Sequence, residues 1–157
     1  MLLQTFLPYP DFVVSAEVLD YRRLGKQRVE TLQILNTLLG LSNGWNNHPA
    51  VKMWRGHEFL LVQYGIVMCD EWIRRGYKDT CRDKIIDLGG SLVVAEASSV
   101  VLERADQGES FPEWLGNREL HTSHQSNLLR KDWNYYSKYF IGVPADLPYY
   151  WPAAGSR

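Results

Sequence analysis

The chain has 157 residues, 45% of them hydrophobic, with a formal charge of -1 and a pI near 6.4. These values suit one globular domain and argue against a protein coated in basic charge. No apolar run is long enough to span a membrane and no signal-peptide pattern opens the chain, and Cys69 and Cys81 fit neither a disulfide framework nor a metal spacing, which points to a reduced, cytoplasmic setting.

Residues 1–12, MLLQTFLPYPDF, read as an extended arm packed on the core. Residues 15–39 carry the longest helical pattern, with Ser15 as its N-cap. Val18, Tyr21, Leu24, Val29, Leu32, Leu35 and Leu39 fall on one arc and should be buried. Arg22, Arg23, Lys26, Gln27, Glu30 and Gln33 fall on the other arc. Arg28 projects into the apolar sector and needs a carboxylate partner, Glu58 or Asp70. Gly25 weakens the helix, so it marks close packing or the approach of a ligand.

Pro49 suits a first helical position, with Asn47 or His48 as cap, and predicts a short helix over 49–55. A second long helix starts at His57 and ends before Gly76, a natural residue to follow a helix. Thr80 should cap a third helix, interrupted at Gly89-Gly90. Residues 92–105 read as a helix, with a strand the alternative offered by Leu92-Val93-Val94 and Val100-Val101, and a loop over 106–117 follows. Asn117 should cap a helix to Lys131, and Asp132 a short last helix over 133–140. The tail from Ile141, rich in proline and aromatics, should lie along the surface. Every firm element is a helix, which predicts an all-α fold: one compact domain, 1–157, of about four to six helices with an arm and a tail.

Three clusters could carry chemistry. Arg22, Arg23, Lys26, Gln27 and Glu30 form either a solvated face or a phosphate-binding stripe in which Glu30 stays ionised, its pKa pulled down by the cations. His48 is either a helix cap or a group that contacts an anion or transfers a proton, and Trp54 reads as core rather than as a stacking platform. In 121–131, His121, Ser123, His124, Ser126 and Asn127 form either a solvated face docked by Leu128 and Leu129, or a face turned toward a partner. No cluster has the ligands of a metal site, and no glycine-rich phosphate loop is present. Six Trp and nine Tyr could supply stacking surfaces for bases as well as core.

The stretches QTFLPYPDF, LDYRRLGKQRVE, NNHPAVKMWRG, RRGYKDT and SHQSNLLRKD resemble the pyrimidine-dimer DNA glycosylase family typified by phage endonuclease V. They resemble a bacterial and phage branch of it most closely. The resemblance implies a compact, endonuclease V-like helical fold and extrusion of a nucleotide from damaged duplex DNA. It further implies attack of an amine on C1′ of the sugar, then strand cleavage at the abasic site, without a metal or other cofactor. Two positions depart from the family pattern: Leu2 follows Met1 where a small residue is usual, and Arg23 stands where an acidic residue is usual. The α-amine of Met1 or the side chain of Lys26 is therefore the candidate nucleophile, Glu30 the carboxylate, and His124 a proton-transfer group or phosphate ligand. Arg22, Arg23, Lys26, Gln27, His48, Arg55, Asn127, Arg130 and Lys131 are the candidate DNA contacts. The expected partner is double-stranded DNA, met by a monomer. A non-catalytic binder of nucleic acid or of a modified base, or an enzyme acting on free nucleosides or nucleotides, would fit the same residues.

Overall fold

The computed structural model describes residues 3–95 and 111–152. Among them are seven helices and no strand: α1 (Phe12–Val18), α2 (Tyr21–Leu38), α3 (Pro49–Trp54), α4 (Glu58–Arg74), α5 (Arg82–Ala95), α6 (Arg118–Lys131) and α7 (Trp133–Tyr136). The fold is all-α, as the sequence implies. No helix among the described residues is long and apolar enough to cross a membrane. The stretch 96–110, which covers most of the predicted 92–105 helix and the start of the 106–117 loop, lies outside the described residues.

The pattern over 15–39 is two helices rather than one. Asp11, not Ser15, caps α1 by accepting from Val14 N–H at 3.0 Å. Ser15 is buried inside α1, and its hydroxyl donates to Tyr9 O and accepts from Tyr9 N–H. The chain breaks at Leu19 and Asp20, both extended. The backbone N–H of Asp20 donates to the Tyr136 hydroxyl at 2.9 Å, so it does not continue a helical ladder. That hydroxyl in turn donates to the Asp20 carboxylate. One residue thus ends α1, caps α2 and satisfies a buried tyrosine.

Helix α2 is also rolled relative to expectation. Tyr21 and Val29 are exposed, whereas Gln27 and Glu30 are buried beside Leu24, Thr31, Ile34 and Leu35. Arg28 is part-buried as predicted, but its partner is Asp79, not Glu58 or Asp70. Its guanidinium also lies 4.3 Å over the Trp72 ring. Asp79, rather than Thr80, accepts from the Arg82 N–H that opens α5 (2.7 Å). Helix α5 runs through Gly89-Gly90 without interruption. The glycine at 89 admits α4, because a Cβ there would lie 2.9 Å from Val62 Cγ1. Gly65 does the same between α2 and α4, where a Cβ would sit 2.6 Å from Thr31 Cγ2.

The caps at His48, Asn117 and Asp132 form as predicted, and Gly76 takes a positive φ of 97° after α4. Helix α7 stops at Tyr136, short of the predicted 140. Arg75 joins α4 to α1: its guanidinium donates to Glu71 and to the carbonyls of Ala16 and Glu17.

The arm decides where the polar residues go. Its residues 3–8 are buried and belong to no helix or strand, and no strand among the described residues lies beside them to pair with. Buried backbone groups must still be hydrogen-bonded. Side chains supply the partners. Gln4 N–H donates to Glu30 Oε1 (2.7 Å), Phe6 N–H to Gln27 Oε1 (2.8 Å) and Leu7 N–H to His124 Nδ1 (2.8 Å). Leu7 O accepts from His121 Nδ1–H, and Pro8 O from Gln125. The tail is held to α6 in the same way. Ser126 accepts from Leu147 N–H, Ser123 from Tyr150 N–H, and Asn127 and Arg130 donate to Leu147 O and Ala145 O. The polar face of α6 is therefore turned to the chain's own arm and tail, and is not solvated.

Candidate functional site

Where arm, α2, the end of α6 and the tail meet, they enclose a cavity of about 400 Å³. Its lining comes from Gln4 and Phe6 of the arm, Tyr149 of the tail, Lys131 of α6, and Arg22, Arg23, Lys26, Gln27 and Glu30 of α2. The helical repeat brings 22, 23, 26, 27 and 30 to one side of α2. The arm, bound to Gln27 and Glu30, closes the inner edge of that side.

Glu30 is the centre of the arrangement. Its side chain is 4% exposed, and its second oxygen lies 3.8 Å from Lys26 Nζ. The sequence predicts a pKa pulled down by the cations. Instead burial raises it, and the opposing pulls of the Gln4 amide, Lys26 and Lys131 do not cancel that. A carboxyl held above its ordinary range takes up a proton more readily than a free carboxylate, which suits it to proton transfer. Lys131, which lines the same cavity from the end of α6, is pushed down, first by burial and then by Arg23, Lys26 and Arg130. Arg23 is tethered to Asp20 at 3.3 Å, and the Arg22 guanidinium lies 5.9 Å from the Tyr21 ring.

Phe6 and Tyr149 give the cavity an aromatic side, with ring centroids 6.3 Å apart. The Tyr149 phenol is pushed up to about 12 by burial, so it stays neutral. A second hollow, of about 300 Å³, lies across α2 and shares Arg22, Lys26 and Glu30. Its far side is Trp72, which covers Gly25 and stacks on Tyr77 at 4.3 Å. Gly25 thus serves close packing.

The remaining sequence-predicted residues that are described do not line the cavity. Met1 lies outside the described residues. His124 is fully buried, with Nδ1 taken by Leu7 N–H and its proton on Nε2; burial and neighbouring His121 push its pKa to about 3. Neutral and sealed behind Phe6 and Tyr149, it is a structural acceptor and not a phosphate ligand. His48 caps α3, with Nδ1 accepting from Ala50 N–H at 3.0 Å, and sits against Trp45 and Trp151. Arg55 is exposed at the end of α3, Asn127 is buried beneath the tail, and Arg130 is engaged with Asn127 and Ala145 O. Among the described residues no three His, Cys, Asp or Glu side chains gather to hold a metal ion.

Sequence reasoning missed Gln4, Phe6, Tyr149 and the Trp72–Tyr77 stack. The surplus of aromatics and the stretches QTFLPYPDF and RRGYKDT hinted at them without giving them a role. The family model for pyrimidine dimer DNA glycosylase matches residues 3–85, just over half of the chain. The match takes in every cavity residue of the arm and α2 and stops before Lys131 and Tyr149. No curated protein and no solved structure matches the chain.

Proposed function

We propose that this chain, which belongs to the pyrimidine dimer DNA glycosylase family, excises a damaged pyrimidine from double-stranded DNA and then cuts the strand at the abasic site. The observation that carries this reading is a raised carboxyl, Glu30, sharing one cavity with two lysines and two arginines beside aromatic walls. An enzyme that works on a base in a duplex must extrude the nucleotide into such a pocket, and about 400 Å³ is in the range of small-molecule sites.

An amine supplies the nucleophile, either a lysine of the cavity or the α-amine of Met1. Its lone pair bonds to C1′ while the C1′–N1 pair leaves with the base. Glu30 takes one ammonium proton and passes it to O4′ as the nitrogen lone pair expels O4′ and the C1′–O4′ bond breaks, leaving a protonated imine. Glu30 then removes a proton from C2′, and the C3′–O3′ bond breaks with the phosphate as leaving group. Arg22 and Arg23 hold phosphates of the distorted backbone. The steps call for no metal ion, and a monomer provides every group.

The test is a duplex carrying a pyrimidine dimer or an abasic site, incubated with chelator and with or without borohydride. The expected result is strand cleavage and a trapped covalent adduct. Binding should weaken with salt by a log–log slope of about -0.9 per phosphate contact. Salt-sensitive binding without adduct or cleavage would overturn the reading in favour of a non-catalytic binder. No binding at low salt would overturn both.

A further inference from the structure

We infer that the side-chain amide of Gln4 is the donor that holds O2 of the pyrimidine as it is released. This role presupposes the reaction proposed above and names the group that receives the base. The buried side-chain atoms without a hydrogen-bond partner among the described residues are Gln4 Nε2, Arg28 Nε, Gln33 Oε1 and His124 Nε2. Of these, Gln4 Nε2 alone belongs to a residue that lines the cavity with Glu30. Gln4 is 3% exposed. Its Oε1 accepts from Thr5 N–H at 2.8 Å, and its backbone N–H donates to Glu30 Oε1 at 2.7 Å. Turning the side-chain amide over would set one N–H against another. The oxygen is therefore fixed on Thr5, and the NH2 group is left as a donor. A buried donor without an acceptor is costly, and native proteins satisfy nearly all of them. A ligand of the cavity that brings an acceptor removes that cost.

The chemistry of excision selects the acceptor. When C1′–N1 breaks, the bonding pair stays on N1, and negative charge spreads from there. In an intact pyrimidine it reaches O2 directly and O4 through the C5–C6 double bond. In a dimer C5 and C6 are saturated, so O2 is the oxygen that takes the charge. O2 is also the carbonyl oxygen nearer the sugar, and Gln4 is fastened through its backbone to Glu30, the carboxyl proposed to act at the sugar. A hydrogen bond to O2 strengthens as the charge grows, so it lowers the barrier and does more than tighten binding. Burial strengthens it further. The anion then takes a proton at N1 from solvent.

An abasic site has no base to hold, so the two halves of the reaction isolate this contact. The experiment measures two single-turnover rates with the full-length protein: base release from a duplex carrying a pyrimidine dimer, and strand cleavage at a preformed abasic site. Gln4→Met keeps the length and the backbone N–H and removes the donor. Gln4→Glu removes the donor but keeps an acceptor for Thr5 N–H. A loosened arm slows both rates together, so the ratio of release to cleavage reports the donor itself.

The expected outcome is a ratio lowered by about 10²-fold in both variants, the usual effect of losing one such donor. Should one variant not fold, the other decides. An unchanged ratio would overturn the inference, make Gln4 a fastening of the arm alone, and leave the proposed reaction standing. A wild type that releases no base would overturn both.

Discussion

Replacing Gln27 with leucine separates a residue that reads DNA from one that holds the arm. Gln27 is 1% exposed. Its Oε1 accepts from Phe6 N–H at 2.8 Å and lies 2.8 Å from the Tyr64 hydroxyl. That hydroxyl is also 2.8 Å from Phe6 O, so it keeps an acceptor in the variant. The Phe6 amide does not. An orphaned buried amide costs about 1–3 kcal/mol, and the more apolar leucine offsets part of it. A net loss of about 1–2 kcal/mol follows, and at roughly 2–4 °C per kcal/mol for a domain of this size the melting temperature drops by about 2–8 °C. Urea titration at neutral pH should show a lower midpoint at an unchanged slope. A Gln27→Leu variant within about 0.5 kcal/mol of wild type, as surface changes usually are, but with weakened DNA binding, would show that Gln27 faces substrate. Anchoring of the arm through Phe6 N–H would then be refuted.

Glu30→Gln should lose activity by about 10²–10⁴-fold, the usual worth of a general acid–base, yet keep its stability at neutral pH, because the glutamine carbonyl still accepts from Gln4 N–H. The folded carboxyl is raised, so its stabilising contribution is present below the ordinary carboxylate range and fades as pH climbs through the folded value. Urea midpoints across that range should fall for wild type and lack this component in the variant, and a variant clearly less stable at neutral pH would count against a buried, strained carboxyl. His124 runs the other way: its folded pKa is depressed to about 3, so its contribution is present above the ordinary imidazole value and is lost as pH falls toward 3. NMR of its ring should show the neutral form down to about pH 5, and protonation at pH 6 or above would contradict its burial. Gly65→Ala should destabilise by about 1–3 kcal/mol through overpacking, since the new methyl meets Thr31 Cγ2 at 2.6 Å and Ile85 Cδ1 at 2.9 Å; a neutral or stabilising effect in thermal unfolding would mean that α2 and α4 are less tightly apposed.

What the amino-acid sequence determines in this protein is local. The caps at His48, Asn117 and Asp132, the turn at Gly76 and the long helix α4 all arise from contacts within a few residues, where residue type alone carries the signal. The crowding of Arg22, Arg23, Lys26 and Glu30 is likewise fixed by helical spacing. Tertiary structure decided which way the polar residues face. Gln27, Glu30, His121 and His124 read equally as a DNA-facing or a solvated surface. They are buried because an arm without a sheet partner needs acceptors and donors for its backbone, across separations of 21 to 117 residues. Arg28 likewise found Asp79 across 51 residues, here through an ion pair between side chains. A backbone amide leaves no mark in the sequence, since nearly every residue has one. A side chain that will bind such an amide therefore looks no different from one that will bind water or phosphate until the fold brings the arm beside it.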